Sequence, residues 1–477
     1  MLTVLFTRVS RSVISLAGIV LTTISAVLFL SLFAIEEFGV NHHGGYTGIL
    51  AFLIIPSIFV LGLLLVPLGM ALLRRADRKR LARGEPAQLA PVIDFNVPRT
   101  RLIVSVVAVL TVVNVVIIAT GTYRGVETME STEFCGGACH SVMSPEFTTY
   151  NRSAHSRVRC TQCHIGPGAG WFVKAKVSGS WQLISVSLNL YPRPIPTPVE
   201  SLRPARDTCE QCHLPGRFVG DKLKIITRHA EDEANTPKKT VLLMKIGGER
   251  DDGAKGIHWH VAAGTKVRYR GDTKRRYVAE LELSLPDGGT RAYKNEAGPP
   301  TDAGVVVMSD AWRTMDCVDC HNRPTHVFQR PIDELDLALE TGALDTSLPF
   351  IRKEGLRIIT ERYPSWDAAQ VGMKKELLDF YRKNNPDLVR NDSKKIDLAA
   401  DALFTLYKRN VFPTMNITWG TYPSFRDHVD DSGCYRCHVS DMKTSEGKKV
   451  SQKCDLCHTV LAEEEENPEI VRLLTGE

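Results

Sequence analysis

Apolar and polar positions divide this chain into two unlike parts. Its first quarter carries three long runs without an ionisable residue, 13–35, 48–73 and 102–120. Each is long enough to span a bilayer as a helix. Pro56 and Pro67 fall in the second, where a kink is tolerable in lipid. A cleaved signal peptide is the rival reading of the first run; its length and the second run close behind favour an uncleaved anchor. Arg74, Arg75, Arg78, Lys79, Arg80 and Arg83 form a basic loop after the second run, and Arg8 and Arg11 precede the first. Positive charge stays on the cytoplasmic side, so three crossings put everything after about Tyr123 on the outer face.

Beyond that point the pattern changes several times. Residues 171–190 read as an apolar helix on which Trp171, Lys174, Ser178 and Trp181 share a face. Tryptophan with lysine beside a membrane exit suits a helix lying in the interface. The proline-rich stretch 191–198 then reads as extended. Residues 241–246, 266–269, 277–285 and 290–293 alternate like strands, with Pro286-Asp-Gly-Gly289 as a hairpin turn. In this β-rich insert His258 and His260, at i and i+2, would face the same way on a strand. Residues 331–411 are helical in period, clearest over 348–363 and 393–408, and the chain runs into an acidic, solvated stretch, 463–466.

Composition changes the picture mainly through cysteine. All twelve cysteines fall in six pairs, each followed at once by histidine: Cys135/Cys139/His140, Cys160/Cys163/His164, Cys209/Cys212/His213, Cys317/Cys320/His321, Cys434/Cys437/His438 and Cys454/Cys457/His458. This is the attachment signature of c-type haem, in which two thiols add to the vinyl groups and the next imidazole lies under the iron. Zinc ribbons and redox dithiols share the cysteine pair, but with 14 histidines in 477 residues neither explains a histidine after every pair. Zinc ribbons also keep fairly regular spacing, which these pairs do not. The first motif has three residues between its cysteines rather than two. Six haems and a periplasmic location agree with the charge-based topology. The formal charge of +5 falls further when haem propionates are added, so nucleic acid is excluded as a partner.

Electron transfer without substrate binding needs a ligand on each face of the iron. His155, His326 and His428 lie near motifs and are candidate distal ligands, as are His229, His258 and His260. Met143, three residues after His140, is the candidate for the first haem. His42 and His43, in the first outer loop, read as a solvated pair.

A membrane helix leading into Phe-Cys-x-x-x-Cys-His-x-x-Met, with His155 ahead of the next haem cysteine, resembles the NapC/NirT family of membrane-anchored quinol dehydrogenases. The core of the likeness covers residues 101–215. The remainder resembles a longer branch, the inner-membrane multihaem cytochromes of metal-reducing bacteria, through residues 191–198, 256–260, 317–326 and 419–423. The resemblance implies a quinol site beside the first haem, with Met143 as its ligand, and later haems that feed periplasmic reductases. Lys174 and Lys176 match the family's Lys-x-Lys segment, and Gln182 stands near its expected acidic residue. The chain departs from short members in having three membrane spans instead of one.

The expectation is therefore a membrane-anchored multihaem cytochrome c: three transmembrane helices, then a mainly α and irregular haem-packed periplasmic region with a small β-rich insert. Its parts are an anchor (1–122), a NapC/NirT-like region with haems 1–3 (123–220), the insert (221–310), haem 4 with a helical region (311–410), and haems 5–6 with an acidic tail (411–477). Its function is oxidation of menaquinol in the bacterial inner membrane and delivery of electrons to soluble periplasmic cytochromes or reductases. The N-terminus is cytoplasmic, and a homo-oligomer is compatible with the sequence. The alternatives are a terminal reductase of the nitrite or hydroxylamine type with one open haem, and a conduit subunit without a quinone site.

Overall fold

The computed structural model describes residues 12–38, 55–84, 94–138, 140–166, 169–199, 202–214, 218, 220–247, 256–262, 264–284, 288–299, 306–428 and 433–475. His42, His43, Cys139 and the first half of the expected 286–289 turn, Pro286 and Asp287, lie outside these residues. The chain divides into two compact units, Met1–Ser144 and Pro145–Glu477.

In the first unit, α1 (Val13–Phe38) and α2 (Ile55–Leu81) pack as an antiparallel pair. Their seam is made of small residues. A Cβ on Gly62 would lie 2.8 Å from the Gly18 carbonyl oxygen, and the Ser15 hydroxyl donates to Val66 O at 3.0 Å. Such close backbone approach substitutes for the hydrophobic effect, which vanishes between helices in lipid. The basic stretch after the second apolar run is helical rather than a loop as far as Leu81. Arg and Lys are good helix formers, and cations in a last turn offset the helix dipole.

The sequence predicts three membrane spans; among the described residues two helices, Val13–Leu30 and Ile55–Leu81, are long and apolar enough to cross. The third expected span falls within α3 (Pro98–Met129), opened by proline at its first turn. Side chains at 103, 107, 110, 111 and 115 lie outside the described set, so two spans are shown, not three.

A π-helical turn, Phe134–Ala138, follows, and then α4 (His140–Asn151). A π turn accommodates one extra residue, and here it coincides with the motif that has one extra residue between its cysteines.

The second unit mixes short helices with two antiparallel sheets. Helices α5 (Cys160–His164), α6 (Ala169–Ser187) and α7 (Ala205–Cys209) come first. Strands β1 (Asp221–His229), β2 (Pro237–Lys245), β3 (Val267–Gly271), β4 (Val278–Ser284), β5 (Thr290–Asn295) and β6 (Arg313–Thr314) occupy the β-rich stretch. Helices α8 (Pro331–Glu340), α9 (Ile351–Thr360), α10 (Trp366–Asn384) and α11 (Pro386–Asn410) follow, with a break in α11 at Asp392. Last come β7 (Met442–Lys443), β8 (His458–Glu465) and α12 (Glu469–Thr475).

One sheet runs β1-β2-β8, the other β6-β3-β4-β5-β7. The acidic stretch read as solvated is the last part of β8, with Ala462 its one buried position. The unit's larger core lies among α8–α11, where Leu335, Leu344, Leu348, Ile351, Ile358, Met373, Leu377, Tyr381 and Leu403 have no exposed surface. Each such side chain stabilises by about 1.5–3 kcal/mol relative to exposure. The β1–β2 turn is pinned to this bundle: Asn235 Nδ2 donates to Thr346 O at 3.0 Å and Leu348 O at 2.9 Å.

Candidate haem sites

The second to sixth motifs fold into tight helical or 3-10 turns. His213 N donates to Cys209 O at 2.8 Å, His321 N to Cys317 O at 2.8 Å and His438 N to Cys434 O at 3.0 Å. The same turn thus carries each pair of cysteines and brings the histidine round beside them. The described residues hold no cluster of three or more metal-binding side chains of the zinc type.

The decisive geometry lies between rings far apart in sequence. Five histidines outside the motifs each stand opposite one motif histidine. His326 faces His164 at 6.2 Å between ring centroids, His155 faces His213 at 6.0 Å, and His258 faces His321 at 6.3 Å. His260 faces His438 at 5.9 Å, and His428 faces His458 at 6.3 Å. Metal–imidazole bonds are about 2 Å long, so two rings on opposite sides of one metal stand roughly 6 Å apart centre to centre. All five pairs therefore fit a haem iron held on both faces.

Hydrogen bonds at the other ring nitrogen orient four of these imidazoles. Nδ1 of His258 lies 2.8 Å from Ile246 O, that of His260 2.9 Å from Ile257 O, that of His326 2.9 Å from Glu146 O, and that of His438 2.6 Å from Ser451 O. A carbonyl there places the proton on Nδ1 and leaves Nε2 bare for a metal. Burial pushes His260 and His326 below the ordinary imidazole value, which keeps them neutral.

His258 and His260 depart from the strand reading. They sit on a 3-10 turn, Ile257–Val261, so they diverge and face different motif histidines. The turn is pressed against the end of β2, where a Cβ on Gly256 would come within 2.7 Å of Lys245 O. His229 also lies elsewhere than expected. It ends β1, is 6% exposed, and its Nδ1 faces Asp336 Oδ1 at 3.4 Å. Asp336 Oδ1 accepts the His229 backbone N–H at 3.0 Å and Asp336 also takes Arg228 at 3.1 Å, so the histidine packs beside a buried ionic cluster.

The second to sixth motifs are neighbours in chain order. Cys209 of the third lies beside Cys317 of the fourth, and their interaction raises the Cys209 thiol and lowers that of Cys317. Cys163 of the second is raised by burial, then by Cys160 and by Cys212 of the third. Burial raises Cys320 of the fourth, to about 12, with Cys434 and Cys437 of the fifth adding to it or adjoining it. Cys434 is raised by burial and by Cys457 of the sixth. For the first motif, His140 and Met143 lie three residues apart on α4.

Lys174, Lys176 and Gln182 lie on α6. The exposed Lys174 ammonium sits 4.7 Å from the Trp171 ring centre, and Gln182 Nε2 donates to Ser178 Oγ at 3.3 Å. The Lys176 side chain is outside the described set. Beside this polar strip runs an exposed apolar one, Val177, Trp181, Ile184 and, just past the helix end, Leu188. Spacing of four, three and four residues makes it a continuous stripe.

The N-terminal-region model of the NapC/NirT cytochrome c family matches residues 97–191. Cytochrome c-type protein ImcH of Geobacter sulfurreducens is 38% identical over 457 residues, 95% of this chain and 89% of that protein. The chain belongs to the NapC/NirT cytochromes. It is accordingly a c-type cytochrome of electron transport that binds haem covalently, and its two apolar N-terminal helices suit an anchor in the inner membrane. No solved structure matches this cytochrome. Sequence reasoning missed how these histidines pair with the motifs; it had only their number and their nearness to motifs, and His155, His326 and His428 each face a motif other than the one they adjoin.

Proposed function

We propose that this cytochrome is an inner-membrane quinol dehydrogenase, passing electrons from menaquinol through six c-type haems to soluble periplasmic cytochromes or reductases. The observation that carries the electron-transfer part is the set of five opposed histidine pairs. Histidines so opposed would occupy both faces of an iron and leave none for a substrate, which disfavours a terminal reductase at those sites. Bound haem supplies one-electron chemistry at each station.

The chain's own residues hold the groups in place. Cys135 and Cys139, Cys160 and Cys163, Cys209 and Cys212, Cys317 and Cys320, Cys434 and Cys437, and Cys454 and Cys457 would attach the six haems, each pair through two thioether bonds. His164 and His326 serve the second haem, His213 and His155 the third, His321 and His258 the fourth, His438 and His260 the fifth, and His458 and His428 the sixth. His140 and Met143 are the residues of the first haem. The third crossing is α3, the N-terminus and the Arg74–Arg83 stretch are cytoplasmic, and the second unit is periplasmic.

Quinol oxidation releases protons as well as electrons, so a polar side chain must reach the quinol oxygen. Helix α6 supplies it: its exposed apolar stripe suits lipid and its polar strip carries Lys174 and Gln182. The Lys174 and Lys176 ammonium groups favour the anionic quinol oxygen as protons pass to water, and Gln182 orients that oxygen.

The test is Lys174→Ala with Lys176→Ala. Reduction of the haems by quinol should slow at least tenfold while dithionite still fills every haem, and mass spectrometry should count six haems. Wild-type quinol kinetics, with no inhibition by a quinone analogue, would leave a conduit without a quinone site.

A further inference from the structure

The residue before the second cysteine is exposed in three motifs, as Gln162, Gln211 and Leu456. In the fourth and fifth motifs it is Asp319, 1% exposed, and Arg436, 9% exposed. These two buried charged residues are joined. Arg436 Nη2 donates to the backbone carbonyl of Asp319. Its Nε donates to Gly433 O at 3.0 Å, its Nη1 to Arg275 O at 2.7 Å, and its guanidinium lies 4.0 Å from the Phe425 ring centre.

Asp319 in turn is tied to the larger sheet. Its Oδ1 accepts from the Tyr269 hydroxyl on β3 at 2.6 Å and from Arg313 Nε on β6 at 2.9 Å, and its Oδ2 accepts from Asp316 N at 2.7 Å. The carboxylate is therefore answered by Arg313, whereas the three hydrogen bonds of Arg436 all go to neutral carbonyls. A buried cation with neutral partners keeps its field. Both motifs lie within its reach: Arg436 directly precedes Cys437 and His438, and its bond to the Asp319 carbonyl sets it beside Cys320 and His321.

The same two motifs are linked on their distal side, since His258 and His260 leave one 3-10 turn toward His321 and His438. We propose that Arg436 is a positioning residue shared by the fourth and fifth haem loops, holding them together through Asp319 and favouring the reduced state at both haems. Each one-electron reduction adds a negative charge, which a nearby buried cation stabilises. This rests on the ligation given above for His258 and His260.

The experiment uses the full-length protein in detergent, with haem count, low-spin electron paramagnetic resonance and a potentiometric titration. His258→Ala and His260→Ala mark the fourth and fifth haems by turning each high-spin; if neither does, the ligation is wrong, whatever Arg436 does. In Arg436→Gln those two haems should lose at least tenfold in their equilibrium constant for reduction, a downward shift of about 59 mV for a one-electron couple. The other four should stay put. Arg436→Lys keeps the charge and loses the fork, so it should displace the same two haems by less; it decides the matter if Arg436→Gln fails to assemble. Unchanged potentials at both haems, or equal shifts at all six, would overturn the proposal.

Discussion

His258 and His260 leave a single 3-10 turn to meet different partners, His321 at 6.3 Å and His438 at 5.9 Å between ring centres. Replacing either by alanine should open one haem and leave its neighbour closed. Each single variant should gain one high-spin, cyanide-binding haem, and the double variant two. Loss of one and the same signal in both singles would mean that the turn serves one iron.

Ring orientation gives a second expectation. The His258–His321 planes are 3° apart and the His428–His458 planes 29°, whereas the His155–His213 pair is at 78° and the His260–His438 pair at 83°. Near-parallel imidazoles on low-spin ferric haem give rhombic spectra, and near-perpendicular ones give strongly anisotropic spectra. Low-temperature electron paramagnetic resonance should contain both classes. His155→Ala should remove an anisotropic component, and His428→Ala a rhombic one.

His229 behaves differently. It packs beside Asp336 rather than a motif histidine. His229→Ala should leave every haem low-spin but destabilise the second unit by about 0.5–3 kcal/mol, since a buried side chain is removed while the backbone N–H bond to Asp336 Oδ1 remains. Thermal unfolding followed alongside the visible spectrum separates the two effects. A new high-spin haem in this variant would return His229 to the ligands.

What the sequence disclosed and what it hid follow from the range of the interactions involved. The motifs are local, so Cys-x-x-Cys-His was legible at once, and so was the helical stretch around Ile351–Thr360. The pairing was not, because His164 meets His326 and His155 meets His213 only through long-range folding. Strand β1 escaped because its lysines, Lys222 and Lys224, mask the alternation; both are exposed on the strand. Strand β8 escaped because an edge strand can carry glutamates outward, and only Ala462 faces in. His258 and His260 were read on a strand because the stretch around them alternates, while the turn that separates them depends on the packing of Gly256 against β2.

The membrane hairpin offers a test independent of haem. Gly62→Leu would thrust a side chain at the Gly18 carbonyl and Thr22, the atoms a Cβ already crowds at 2.8 and 2.5 Å. Overpacking of this kind costs about 1–3 kcal/mol. The α1–α2 pair should loosen, visible as faster proteolysis of the anchor in detergent, while the haem spectrum stays unchanged.

The most direct measurement mixes the purified, oxidised protein anaerobically with a menaquinol analogue and follows haem absorbance in time. The account predicts reduction of haems on the time scale of turnover, blocked by a quinone-site inhibitor and slowed by Lys174→Ala. A protein that dithionite reduces fully but quinol leaves oxidised would contradict it.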